Sequence, residues 1–173
     1  MNRQRACKNR RSSSIQRWGL AGLCAATLAS APIITSAAPN PQLDTQTRQA
    51  MIDAINDEYH ARAFYTAAIE KFGTVRPFSN IVRSEDRHVS LWNALFTQYG
   101  LPIPVDSFAG KVAVPDTLQA ACQAGVEAEI ANVAMYDRFL GFVQQPDLQA
   151  AFRQLRQVSQ ERHLPAFQRC ANR

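Results

Sequence analysis

One block of side chains occurs twice in this chain. Glu58, Ala63 and Tyr65 recur as Glu129, Ala134 and Tyr136, each 71 positions later, and Ser84-Glu85-Asp86-Arg87-His88-Val89 recurs as Ser159-Gln160-Glu161-Arg162-His163-Leu164, 75 positions later. Each half of the block lies on its own amphipathic segment, so the repeated unit is a helical hairpin. A hairpin of this kind cannot bury its apolar face alone, and two of them packed together make an all-α four-helix bundle. Facing copies would bring Glu58, Glu85, His88, Glu129 and His163 into one interior. Carboxylates and imidazoles in that number suit a carboxylate-bridged pair of metal ions.

Charge has to be read after the amino-terminal segment is set aside. Six of the nineteen basic residues and none of the fourteen acidic ones lie in residues 1–37, where Arg3, Arg5, Lys8, Arg10, Arg11 and Arg17 precede an apolar run from Trp18 to Ala31. A basic stretch, a short apolar run and the small residues Thr35 and Ala37 form an export signal, with the mature chain starting at Ala38; an uncleaved anchor is the alternative. Arg10-Arg11 is followed by three serines rather than apolar residues, which weakens a twin-arginine reading. Residues 38–173 then form one domain carrying thirteen basic and fourteen acidic side chains. The basic isoelectric point belongs to the leader, so nucleic-acid binding loses its support. The expected location is periplasmic or secreted, with no stable membrane insertion once the signal is removed.

Punctuation divides this domain into four rods. Asp44 or Thr45 caps a first helix that stops at Gly73, and Pro77 opens a second that ends before Gly100. Asp116 or Thr117 caps a third helix ending near Phe142, and Pro146 with Asp147 opens a fourth running toward Cys170. The links after the first and third helices are short, which makes each hairpin antiparallel. The middle link, Leu101 to Pro115, is proline-rich and could extend roughly 50 Å, whereas a helix of twenty-odd residues is roughly 33 Å long. It can therefore cross the length of the bundle and start the third helix parallel to the second. Reach permits this crossover without compelling it, and an up-down-up-down order stays open.

The recurring carboxylates fall in apolar stripes. Met51, Ile55, Tyr65 and Ile69 surround Glu58 at helical spacing, Phe78, Ile81, Val89 and Trp92 surround Glu85, and Cys122, Val126, Val133 and Tyr136 surround Glu129. Burying an isolated carboxylate costs several kcal/mol, and three together repel unless protons or cations neutralise them. A divalent ion among them removes that conflict. Glu85 and His88, three residues apart, project from adjacent turns of one face and can bind the same ion.

With these residues in place the chain resembles the ferritin-like superfamily, in particular its small exported bacterial members of undefined function, over roughly Gln46 to Cys170. That family's pattern is a glutamate, Glu-x-x-His, a second glutamate and a second Glu-x-x-His on four successive helices, and five of the six positions match. The resemblance implies two pseudo-symmetric hairpins joined by a long crossover loop. It also implies Glu58 and Glu129 as terminal or bridging carboxylates, with Glu85 and His88 from the second helix and His163 from the fourth. The bound ion would be iron, as one ion or a pair, or manganese. Oxidation of ferrous ions or reduction of peroxide would be the associated chemistry, with oxygen or peroxide as co-substrate, and homo-oligomers are compatible with the fold.

Gln160 departs from the pattern, standing where the second Glu-x-x-His has its glutamate. Its neutral carbonyl is a weak ligand that cannot bridge, so one metal position is expected to be softer, and Gln160→Glu to tighten it. Heavy-chain-type ferritins also carry a glutamine on their last helix near an iron-oxidising site, which keeps the substitution compatible with iron. Glu161 points about 200° around the helix from His163, unless Pro165, which withholds a backbone donor, distorts the turn.

Tyr65 and Tyr136 are expected to pack in the core and hydrogen-bond to the site's carboxylates. Glu58 could instead pair with Arg62 one turn later. Cys122 lies seven residues before Glu129 and Cys170 seven after His163, which places both near the same end of antiparallel helices. A disulfide there fits an oxidising compartment; two buried thiols are the other option. Three functions follow from the sequence: a di-iron oxidase, a divalent-metal carrier without turnover, and a metal-free bundle with a hydrogen-bonded polar cluster.

Overall fold

The computed structural model describes residues 42–173; the expected export signal lies outside the described residues. Every regular element among the described residues is a helix: α1 (Thr45–Phe72), α2 (Phe78–Gln98), α3 (Leu118–Leu140), α4 (Pro146–Val158) and α5 (Leu164–Ala171). A π-helical turn over Ser159–His163 joins α4 to α5 with right-handed helical dihedrals on both sides, so the last two helices form one rod and the molecule is a four-rod bundle.

The ends follow the local chemistry. Asp44 caps α1, accepting from the Thr47 amide at 2.7 Å and from its hydroxyl at 2.7 Å, and Thr117 caps α3, accepting from the Ala120 amide at 3.1 Å. α1 stops at Gly73, whose φ of 84° suits a residue without a Cβ. The π turn has a local cause in Pro165, which has no N–H for the Glu161 carbonyl and whose ring crowds it. The chain widens there, and the Leu164 amide donates to the Ser159 carbonyl.

Each rod is apolar, then polar, then apolar along its length. One core cluster contains Met51, Ile55, Trp92, Phe96, Tyr136, Phe139, Phe152 and Leu155. The other contains Phe64, Tyr65, Phe78, Ile81, Ala121, Phe167 and Cys170. Between them in every rod lie the buried polar residues: Glu58 in α1, Ser84, Glu85 and His88 in α2, Glu129 and Asn132 in α3, and Ser159 and His163 in the last rod. Apolar layers thus close both ends of a polar midsection. α1 packs mainly on α2 and α3 on the α4–α5 rod, while α1 meets α3 and α2 meets α4 more sparsely.

The link between α2 and α3 is fastened to α1. Tyr59 donates to the Pro104 carbonyl at 3.2 Å, Arg62 donates to Asp106 at 2.8 Å, and Lys71 reaches Asp116 at 2.9 Å. Arg62 is thereby committed to the link rather than to Glu58. At the same end of the bundle as Lys71 and Asp116, Cys122 and Cys170 are joined by a disulfide with Cα atoms 5.7 Å apart, tying α3 to α5. Close approach of the same two helices also depends on Gly125, because a Cβ there would lie 2.5 Å from the Phe167 ring. No described helix is long and apolar enough to cross a membrane.

Candidate metal centre

Two trios of ligand atoms meet in the polar midsection. Glu58, Glu85 and His88 form one, and Glu85, Glu129 and His163 form the other; within each, one ligand atom from every residue lies within 4.8 Å of the others, and all five residues are buried. Glu85 belongs to both. Its Oε2 lies 2.7 Å from Nδ1 of His88 and its Oε1 3.3 Å from Nδ1 of His163, so the two oxygens of one carboxylate face the two imidazoles. Nδ1 of His88 is also 3.0 Å from Glu58 Oε2, and Nδ1 of His163 is 3.4 Å from Glu129 Oε1. The two rings stack with centroids 5.8 Å apart.

Tyrosines fix the outer carboxylates by crossing between rods. Tyr136 of α3 donates to Glu58 Oε1 of α1 at 2.6 Å, and Tyr65 of α1 donates to Glu129 Oε1 of α3 at 2.8 Å. Burial, together with the neighbouring carboxylates, pushes both phenols well above their ordinary range, so they stay protonated donors. Ser84 Oγ lies 3.2 Å from His88 Nε2, which orients that ring and leaves Nδ1 toward the carboxylates.

The electrostatics show what the cluster lacks. Burial opposes charge on His88, but hydrogen bonds to Glu58 and Glu85 outweigh it and push the imidazole up to about 10. Burial and the charge of Glu58 push Glu85 well above the usual carboxylate range. Glu58, equally buried, is held below its ordinary value because its bonds to His88 and Tyr136 favour the anion. Protons on His88 and Glu85 thus offset the negative charge within the Glu58–Glu85–His88 trio. A divalent cation bonded to those oxygens and imidazole nitrogens would do so instead, and the donor set suits such an ion.

Gln160 does not join the site. It is exposed, and its side-chain oxygen accepts from Arg156. A π turn advances each residue by less than the about 100° of an α-helix, so the three-residue spacing that aligns Glu85 with His88 fails for Gln160 and His163. Ser159, not Gln160, is buried in that turn together with His163. Glu161 also stays outside, exposed and bonded by Gln157 at 2.9 Å, and His60 is exposed against the Phe108 ring.

Two residues beside the site escape the repeat logic. Asp57 accepts from the buried Asn132 amide at 2.6 Å, and burial, with the charge of Glu58 second, raises its carboxyl to about 7. Both line a cavity of about 110 Å³ that also touches Glu58, Glu85 and Glu129. The positions 71 residues from them hold Ala128 and Ala61, so the duplication gives no sign of this pair. Their legible signal is only that an aspartate precedes Glu58 and an asparagine follows Glu129 by three.

Comparison with known proteins bears on the fold alone. No family model matches the chain, and no curated protein does. A solved structure of a hypothetical protein from Methanococcus jannaschii superposes with a TM-score of 0.69 over 79% of this chain and 86% of that one, at 23% identity. At that identity it shows a shared helical fold.

Proposed function

We propose that this protein is a ferritin-like metal-binding protein that holds two divalent ions, iron or manganese, at Glu58, Glu85, His88, Glu129 and His163. The observation that carries this reading is Glu85, which presents one carboxylate oxygen to each of two histidines and belongs to both ligand trios. Glu58 and His88 complete one position, and Glu129 and His163 the other. Tyr65 and Tyr136 hold the outer carboxylates, and apolar layers close the two ends of the site along the bundle.

Two observations favour the ferritin-like arrangement with its long crossover. In residue order, α1 and the α4–α5 rod pass from the first core cluster to the second, whereas α2 and α3 pass from the second to the first, as parallel middle helices require. The link bonds to Tyr59, Arg62 and Lys71 in turn, following α1 along its length. Export to a periplasmic or secreted location is supported by the disulfide, which oxidising compartments favour.

Bound iron would supply electron transfer to oxygen or peroxide, and the chain supplies the position of its ligands. Asp57, raised to about 7, stands beside Glu58 and can take or give a proton at neutral pH. Metal analysis of the purified protein, followed by aerobic ferrous titration with oxygen uptake recorded, tests the reading. Bound metal with oxygen uptake supports an iron oxidase, and bound metal without uptake a carrier. Absence of metal under both conditions, or full metal content in Glu85→Ala, overturns it.

A further inference from the structure

On the imidazole side of the centre lies a second, larger cavity whose charge is opposite. It measures about 710 Å³ and runs between α2 and the α4–α5 rod, with Ser84, His88 and His163 in its wall. Five arginines line it: Arg76, Arg87, Arg162, Arg169 and Arg173. No aspartate or glutamate does, although the carboxylates of the centre lie just behind the histidines.

These arginines are uncompensated, as Arg48, Lys111 and Arg138 are among the described residues, but only these five converge on one cavity. Arg62, Lys71 and Arg156 each reach an aspartate, whereas none of the five has a side-chain hydrogen bond or ion pair among the described residues. The nearby acids are turned away: Asp86 faces Arg62, and Glu161 is bonded by Gln157. Guanidinium groups cannot shed their protons at physiological pH, so the concavity keeps its positive charge and attracts anions.

The duplication reaches this cavity too. Arg87 precedes His88 and Arg162 precedes His163 in the repeated hexapeptide, and although the second copy is wound as a π turn, both arginines line the same cleft. Of the remaining three, Arg76 precedes α2, Arg169 lies in α5 and Arg173 follows it, all outside the repeat. The concavity favours a small ligand over a flat macromolecular surface, since pockets of roughly 300–1,000 Å³ hold molecules of drug size.

We propose that this cleft binds a small multivalent oxyanion, a polycarboxylate or a phosphate compound, held by Arg87 and Arg162 in paired charge-assisted bonds. Arg76, Arg169 and Arg173 add long-range attraction. The proposal is independent of metal binding and is tested on metal-free protein. Titration calorimetry at low salt with citrate, inorganic phosphate and pyrophosphate separately should show saturable one-to-one binding of at least one of them. Tighter citrate binding identifies a polycarboxylate ligand, and tighter phosphate or pyrophosphate binding a phosphorylated one. Arg87→Gln combined with Arg162→Gln should weaken that binding at least tenfold, with unchanged helicity because both side chains are exposed. Saturable binding of none of the three anions, or equal affinity in the double variant, overturns the proposal.

Discussion

Replacing Glu85 by glutamine should remove both metal positions, whereas the same change at Glu58 or Glu129 should remove one. The difference follows from Glu85 being shared by the two ligand trios while the others serve one each. An ion present at a hundredfold excess over its dissociation constant stabilises the fold by about 2.7 kcal/mol. A domain of about 130 residues gains roughly 4 °C in midpoint per kcal/mol. One ion is therefore worth about 10 °C and two about 20 °C. Thermal melts of chelator-treated protein with and without manganese should give that full shift for the parent chain, about half for Glu58→Gln and Glu129→Gln, and none for Glu85→Gln. Glutamine keeps the side-chain volume, and the metal-free midpoints check that each variant folds. The bridging argument fails if Glu85→Gln retains as much of the shift as Glu58→Gln does.

Other expectations are more local. Gln160→Glu should leave metal content and affinity unchanged in equilibrium dialysis, because Gln160 faces solvent; a tightened second position would mean that the π turn is not the conformation in solution. Binding of manganese at pH 8 should release protons, detectable as a dependence of calorimetric heat on buffer ionisation, since the metal must displace the proton that Glu58 and Glu85 hold on His88 up to about pH 10. Affinity should therefore rise with pH through this range, and heats that are identical across buffers would contradict it. Gly125→Ala should lower the thermal midpoint by several degrees: overpacking against Phe167 costs about 1–3 kcal/mol and outweighs the about 1 kcal/mol that alanine gains in a helix. Intact mass should rise by two hydrogens on reduction, and replacing Cys122 and Cys170 by serine should cost about 4 kcal/mol in denaturant unfolding, from the 48-residue separation that the bridge closes. An unchanged mass would remove the bridge.

How much of this could be read from the chain depended on whether a residue took part in the repeat. Glu58, Glu85, His88, Glu129 and His163 were legible because apolar stripes and matched spacing placed them inward, and the structure brings all five together. Tyr65 and Tyr136 were legible for the same reason, although their crossing to the opposite carboxylate needs coordinates. Gln160 was misplaced because spacing was converted to direction at an α-helical pitch. Pro165 offered the warning by releasing the Glu161 carbonyl, but how far the turn would widen depends on packing around Phe167 and Ser159. Asp57 and Asn132 stayed hidden because no second copy marks them. The arginine cleft was equally illegible, because nothing in the spacing of Arg87 and Arg162 shows that two rods place them on one cavity.

The central claim is that two cations belong in the midsection of the bundle, on either side of the Glu85 carboxylate. Crystals equilibrated with manganese and measured for anomalous scattering test it most directly. The account predicts two strong peaks in the core, one among Glu58, Glu85 and His88 and one among Glu85, Glu129 and His163. Anomalous density confined to the surface, or none at all in protein that is fully folded, would contradict it.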